Sequence, residues 1–137
     1  MALLAGVTAA CGTGQWREAD ARMNETAQAA RAAGFRPMAG AHNTFGVFTA
    51  AGSTTWRVRL DAARQSFIAA GCTAGCTSLD MSVADSSGAP VASATSPAAA
   101  PALLLGARPS GLYLVTFRHG SCRMRECRWV AQVWEKR

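Results

Sequence analysis

The chain is poor in the side chains that do chemistry: two His, one Tyr, one Lys and eight carboxylates among 137 residues. General acid–base and nucleophilic catalysis need such groups in adjacent, mutually oriented sets. No phosphate-cradling glycine loop and no Gly-x-Ser-x-Gly elbow is present. His42 precedes the first strand-like segment, and His119 stands near Cys122 in the pattern of a thiol with its base, but no third group to orient that pair can be named. A protein that is not an enzyme and carries no cofactor is the expectation.

Also missing is an apolar run of about 20 residues, the length a helix needs to span a bilayer. The nearest approach is Met1 to Cys11, small and apolar like the end of a bacterial export signal but without a basic start. Three readings stay open for residues 1–14. They are a signal remnant, a lipoprotein signal in which Cys11 is lipidated (with Thr8 where Leu is usual), or a retained apolar arm.

What is abundant is Ala and Arg. The net charge is +6, and Arg118, Arg123, Arg125, Arg128, Lys136 and Arg137 face only Glu126 and Glu135 in the last twenty residues. That end is read either as a surface for anionic lipid headgroups or an acidic partner, or as solvated Arg on the outer faces of two strands. The Arg residues are not interleaved with aromatics in a binding motif, so nucleic acid is not an expected partner.

Residues 15–40 read as an Ala-rich amphipathic helix and linker. Thr13 can cap it, Trp16, Ala19, Met23, Ala27 and Ala30 form one stripe, Gly34 ends it, and Pro37 prevents its resumption. Two uses compete for the stripe, with Trp16 and Met23 as anchors: docking another protein, or packing on the domain that follows.

From residue 41 the period changes to two. Strand patterns run over 44–51, 54–60, 65–70, 79–83, 91–94, 102–106, 112–119 and 127–135, with turns at Ala51-Gly52-Ser53, Asp61 to Arg64, Asp85 to Gly88 and Pro109-Ser110-Gly111. Thr95 to Pro101 reads as an exposed, mobile loop. About eight short strands with 50% hydrophobic residues fit one domain, residues 41–137: an antiparallel, jelly-roll-like β-sandwich preceded by an α-helix.

Cys72-x3-Cys76 and Cys122-x4-Cys127 are two close pairs, with Cys11 left over. Four cysteines allow three connectivities, and local bridges would clamp adjacent strands in an oxidising compartment. A four-cysteine zinc site fits the spacings less well than C-x2-C knuckles would. Buried free thiols are the third reading.

The run Gly71-Cys72-x3-Cys76-x2-Leu79-Asp80-Met81-x-Val83-x-Asp85-x2-Gly88-x2-Val91-Ala92, followed by Gly111-x-Tyr113-x-Val115 and the second cysteine pair, carries a resemblance. Over roughly residues 42–135 the chain resembles a group of bacterial envelope proteins similar to the pre-peptidase C-terminal domain of secreted proteases. The resemblance implies a small jelly-roll sandwich. The stretch after the first cysteine is usually acidic there, and here it is Thr73-Ala74-Gly75. Asp80 and Asp85 alone fall short of the six to eight oxygens of a Ca²⁺ cage. No metal is expected, with Asp85 capping its turn and Asp80 solvated or hydrogen-bonded.

Two functional classes follow. One is a structural or accessory subunit on the extracytoplasmic side of a bacterial membrane-protein complex, of photosynthetic, respiratory or secretion type. It would contact other subunits or an anionic membrane through Trp16, Met23, Arg123, Arg125, Arg128, Lys136 and Arg137. The alternative is a free periplasmic or lipid-anchored module that recognises a glycan or peptide through Trp56, Trp129 and Trp134.

Overall fold

Alternating apolar residues give each strand one face to bury, and here two sheets bury those faces against each other. The computed structural model describes residues 2–38, 43–48, 52–73, 75–96, 99–106, 108–123 and 126–137, without the side chains of 2–15 and 43. Helix α1 (Ala2–Ala32) is followed by β1 (Arg36–Pro37), β2 (Asn43–Phe48), β3 (Ser53–Leu60), β4 (Gln65–Cys72) and β5 (Leu79–Asp85). Then come β6 (Pro90–Ser96), β7 (Ala102–Leu105), β8 (Gly111–His119) and β9 (Cys127–Lys136).

One sheet has the order β2-β9-β4-β7, with β1 continuing beside β9 on the same side as β2; the other has the order β3-β8-β5-β6. Every pairing is antiparallel. The chain changes sheet at each connection from β2 onward except β5 to β6, which gives the jelly-roll order expected from the sequence. Between the sheets lie Val58, Ile68, Leu79, Met81, Val115, Phe117, Trp129 and Val133.

Where α1 lies on β4 and β9, the first sheet is buried on both faces. Ala19, Met23, Ala27 and Ala30 of α1 pack with Phe35 on Ala69, Val130 and Trp134 of β4 and β9. The stripe on α1 therefore serves the protein's own sheet. The contact is close because Gly71 offers no side chain: a Cβ there would stand 2.4 Å from the Ala19 carbonyl oxygen. Arg22 adds hydrogen bonds to the Cys72 and Thr73 carbonyls, and Thr26 donates to that of Ala100.

Two local expectations are corrected. The helix starts at Ala2, not near Gln15, because no proline interrupts 2–32 and each of Gly6, Gly12 and Gly14 costs only about 1 kcal/mol relative to Ala. The Thr95 to Pro101 stretch is not wholly an exposed loop: Thr95 and Ser96 end β6, Ala99 is fully buried, and its carbonyl and that of Pro101 accept from Cys72 and Ala70 at 2.9 and 3.1 Å, beside β4.

The C-terminus of α1 matches expectation. Gly34 takes φ 91°, Phe35 N–H bonds the Ala30 carbonyl, and Gly34 N–H bonds that of Arg31, which is a Schellman motif. Lys136 Nζ donates to the Ala33 carbonyl at 2.6 Å, satisfying another terminal acceptor.

Asp85 caps its turn as expected, its Oδ1 accepting from Ser87 Oγ at 2.6 Å, Ser87 N at 2.9 Å and Ala89 N at 3.0 Å. The Ser87 hydroxyl, followed by the Ala89 amide, holds this carboxyl below its ordinary value. A carboxylate depressed by folding stabilises above its unfolded pKa and loses that contribution as pH falls through the folded one. The Ser87 and Ala89 amide resonances should therefore stay fixed from neutral pH through the ordinary Asp range and shift only below it. An NMR titration midpoint at or above that range would discard the cap.

Candidate functional site

Register places an apolar and cationic group on the outer face of the first sheet. β2 pairs with β9 so that Phe45 stands opposite Val130 and Val47 opposite Arg128. On α1, Trp16 is one turn before Ala19 and reaches Phe45, with ring centroids 5.1 Å apart in a T-shaped contact. The Arg128 guanidinium lies 5.0 Å over the Trp16 ring. Phe45 remains 68% exposed and Val47 39%. A cleft of about 420 Å³ opens beside them, lined by Trp16, Asp20, Met23, Phe45, Val130 and Ala131 among others. The sequence shows the alternation of Phe45 and Val47 with Gly46 and Phe48, but not which pair faces out. The signal that could have marked β2 is its lack of any charged residue.

Of the residues expected to bind partners, Trp16 and Arg128 come together here, whereas Met23 is buried against the sheet. Arg128 and Lys136 are on one strand, about 26 Å apart at ~3.3 Å per residue. The basic end of the sequence is therefore not one surface patch. Lys136 caps the helix, Arg137 is exposed beyond it, and Arg123 is exposed on the second cysteine loop. Arg64 pairs with Glu135 close to Lys136. Arg125 and His42 lie outside the described residues, as does the side chain of Cys11.

The three tryptophans proposed for a glycan face do not form one. Trp129 points between the sheets and is 4% exposed; Trp134 points the opposite way, beneath α1, and is 2% exposed; only Trp56 is half-buried. Successive residues of a strand face opposite sides, and both sides of β9 are covered.

Asp80 and Asp85 are at opposite ends of β5, about 16 Å apart along the strand, so they cannot share a cation. Cys122 is bonded to Cys127 and Cys72 to Cys76, with Cα separations of 5.8 and 6.1 Å, inside the usual disulfide range. The sulfurs of Cys72, Cys76 and Cys127 lie within 4.8 Å of one another, but in disulfides they are not thiolate ligands. Cys122 likewise is no nucleophile, and the His119 ring packs on Phe48 at 4.6 Å. Among the described residues no helix is long and apolar enough to cross a membrane.

No family model and no curated protein matches the chain. Among solved structures it is similar to PliG of Aeromonas hydrophila, a periplasmic inhibitor of g-type lysozyme, at 16% identity over 74% of this chain and 92% of that one, with a TM-score of 0.48. It is similar to FlgD of Xanthomonas campestris, involved in flagellar hook capping, at 14% identity over 68% and 69%, with a TM-score of 0.41. A third likeness, to the arabinose-bound α-L-arabinofuranosidase MgGH51, has 9% identity over 78% and 24%, with a TM-score of 0.35. Likenesses this distant join an inhibitor, a structural protein and an enzyme, and say nothing of what this chain binds.

Proposed function

We propose that the chain is a non-enzymatic protein-binding module that works outside the cytoplasm, as an accessory subunit of a bacterial membrane-associated assembly. The observation that carries this reading is the exposed Phe45 and Val47 beside the Trp16–Arg128 contact and its cleft. An exposed Phe beside a half-buried Trp and Arg, over a concave apolar floor, has the aromatic and Arg composition that protein interfaces are enriched in. Two local disulfides support an oxidising compartment. Photosynthetic, respiratory and secretion complexes are the host classes proposed, and contact with an anionic membrane surface through Arg123 and Arg137 is compatible with docking through Phe45. A glycan-binding reading is weaker, since two of its three tryptophans are buried.

Extraction of the source membrane in mild detergent should find the protein migrating with a larger assembly. The double variant Phe45→Asp, Val47→Asp should migrate alone at monomer size with little change in melting, since both side chains are exposed. Wild-type protein that migrates alone would remove the accessory-subunit reading.

A further inference from the structure

An edge strand presents a row of unpaired amides and carbonyls, and proteins blunt such edges with charge, proline or shortness. Three of the four sandwich edges are blunted in these ways. β3 exposes Arg57 and Arg59, β6 starts at Pro90, and β7 is four residues long and follows Pro101. β2 is the exception. Its six residues, Asn43–Phe48, include no charge and no proline, and among the described residues no strand lies on the side away from β9.

A second observation points to a ligand at this edge. Between β2 and β3 a cleft of about 410 Å³ opens, lined by Gly46, Trp56, Arg57 and Trp129 among others. Trp129 is 4% exposed, and its indole N–H has no acceptor among the described residues. A buried donor without an acceptor costs about 1–3 kcal/mol. That nitrogen lies against Gly46, 2.7 Å from where a Cβ would stand, so the missing side chain leaves the lip of the cleft free. A carbonyl brought to the edge could accept this N–H.

We propose that β2 is a strand-addition site. An extended segment of a partner protein, apolar at the alternate positions that face the cleft and acidic on its other face, pairs with the free edge of β2. This rests on the protein-docking reading above and names its chemistry. Main-chain hydrogen bonds to β2 supply affinity, and the cleft over Trp129 and Trp56 selects the inward side chains. The acidic requirement follows from charge. Arg128 is paired with Val47 on the outer face of the sheet, where the partner's second face would lie, on a chain of net charge +6. A second copy of the chain at the same edge would bring two such cationic surfaces together, so the partner is a different protein.

The test uses the full chain and the synthetic peptide Ac-Glu-Val-Glu-Val-Glu-Val-Glu-amide, its counterpart with Lys for every Glu, and a version with Pro for the central Val. Amide exchange read by NMR should show alternate β2 amides protected about tenfold or more by the acidic peptide and not by the proline version. The Lys peptide should bind about tenfold more weakly or worse. Val47→Glu should melt like the wild type and weaken the acidic peptide by a similar factor of about ten, because it sets a like charge against the peptide's acidic face. Absence of β2 protection, equal protection by the Lys peptide, or a dimer closed through β2 without peptide would overturn the proposal. Any of these would leave co-migration with an assembly intact. Peptide binding to a protein that migrates alone would instead overturn only the accessory-subunit reading.

Discussion

Gly71→Val should destabilise the protein by about 3 kcal/mol or more, and Gly71→Ala by roughly 2, because the added atoms meet backbone. A Cβ at 71 would stand 2.4 Å from the Ala19 carbonyl oxygen and 2.6 Å from the Met23 nitrogen. Neither is the end of a flexible side chain that could turn aside, so α1 itself must move off β4. The movement would open the layer in which Ala19, Met23, Ala27 and Ala30 cover Ala69, Val130 and Trp134, and would break the Arg22 contacts to Cys72 and Thr73. The change is measured as a fall in denaturant midpoint together with a shift of tryptophan emission to the red as Trp134 becomes wet. Gly106→Ala is the control, since nothing lies within 4 Å of a Cβ there, and it should be close to neutral. A Gly71→Val protein that unfolds at the wild-type midpoint would mean that α1 is not seated as described.

The same layer explains where the sequence was legible and where it was not. β8 could be read because one face is buried and the other is not: Tyr113, Val115 and Phe117 point inward, with Leu114 and Thr116 only half-buried between them. β4 shows no such alternation, because Ile68, Ala69, Ala70, Gly71 and Cys72 are all buried, on one side by the second sheet and on the other by α1. Spacing alone leaves the bonding among the four cysteines open, but the strand segments, the turns and the closeness of each cysteine pair follow from local pattern. What depends on tertiary register does not. Nothing near Phe45 tells that its face lies outward beside Trp16, since this is set by pairing with Val130. Nor does the basic end announce that the length of β9 separates Arg128 from Lys136. Ala99 reads as loop from its Ser, Pro and Ala neighbours, yet it is buried because its carbonyl pairs with Cys72. Thr13 reads as the N-cap of a helix starting near Gln15, yet the helix runs through it from Ala2.

Reduction of both disulfides should lower stability by about 4 kcal/mol, roughly 2 for each short loop that is freed in the unfolded chain. The loss would appear as a fall of about 15 °C in Tm for a domain of this size. The two loops are also coupled. Cys76 and Cys122 form an isolated antiparallel bridge, Thr77 N–H bonds the Ser121 carbonyl at 3.0 Å, and Arg123 N–H bonds that of Gly75 at 2.8 Å. Each staple therefore holds the strand end against which the other loop pairs. A more specific outcome follows from the sulfur positions, since Cys72, Cys76 and Cys127 lie within 4.8 Å of one another. Cys76→Ser frees the Cys72 thiol beside the Cys122–Cys127 bond. The Cys72 thiolate should attack the Cys127 sulfur, forming a Cys72–Cys127 bond and releasing Cys122 as the free thiol. Peptide mapping under non-reducing conditions with thiol alkylation distinguishes the results: Cys122 should carry the label, and label found on Cys72 with the Cys122–Cys127 bond intact would show that the bridges do not exchange. If full reduction left Tm unchanged, the bridges would have no part in holding the two cysteine loops against the end of the sandwich.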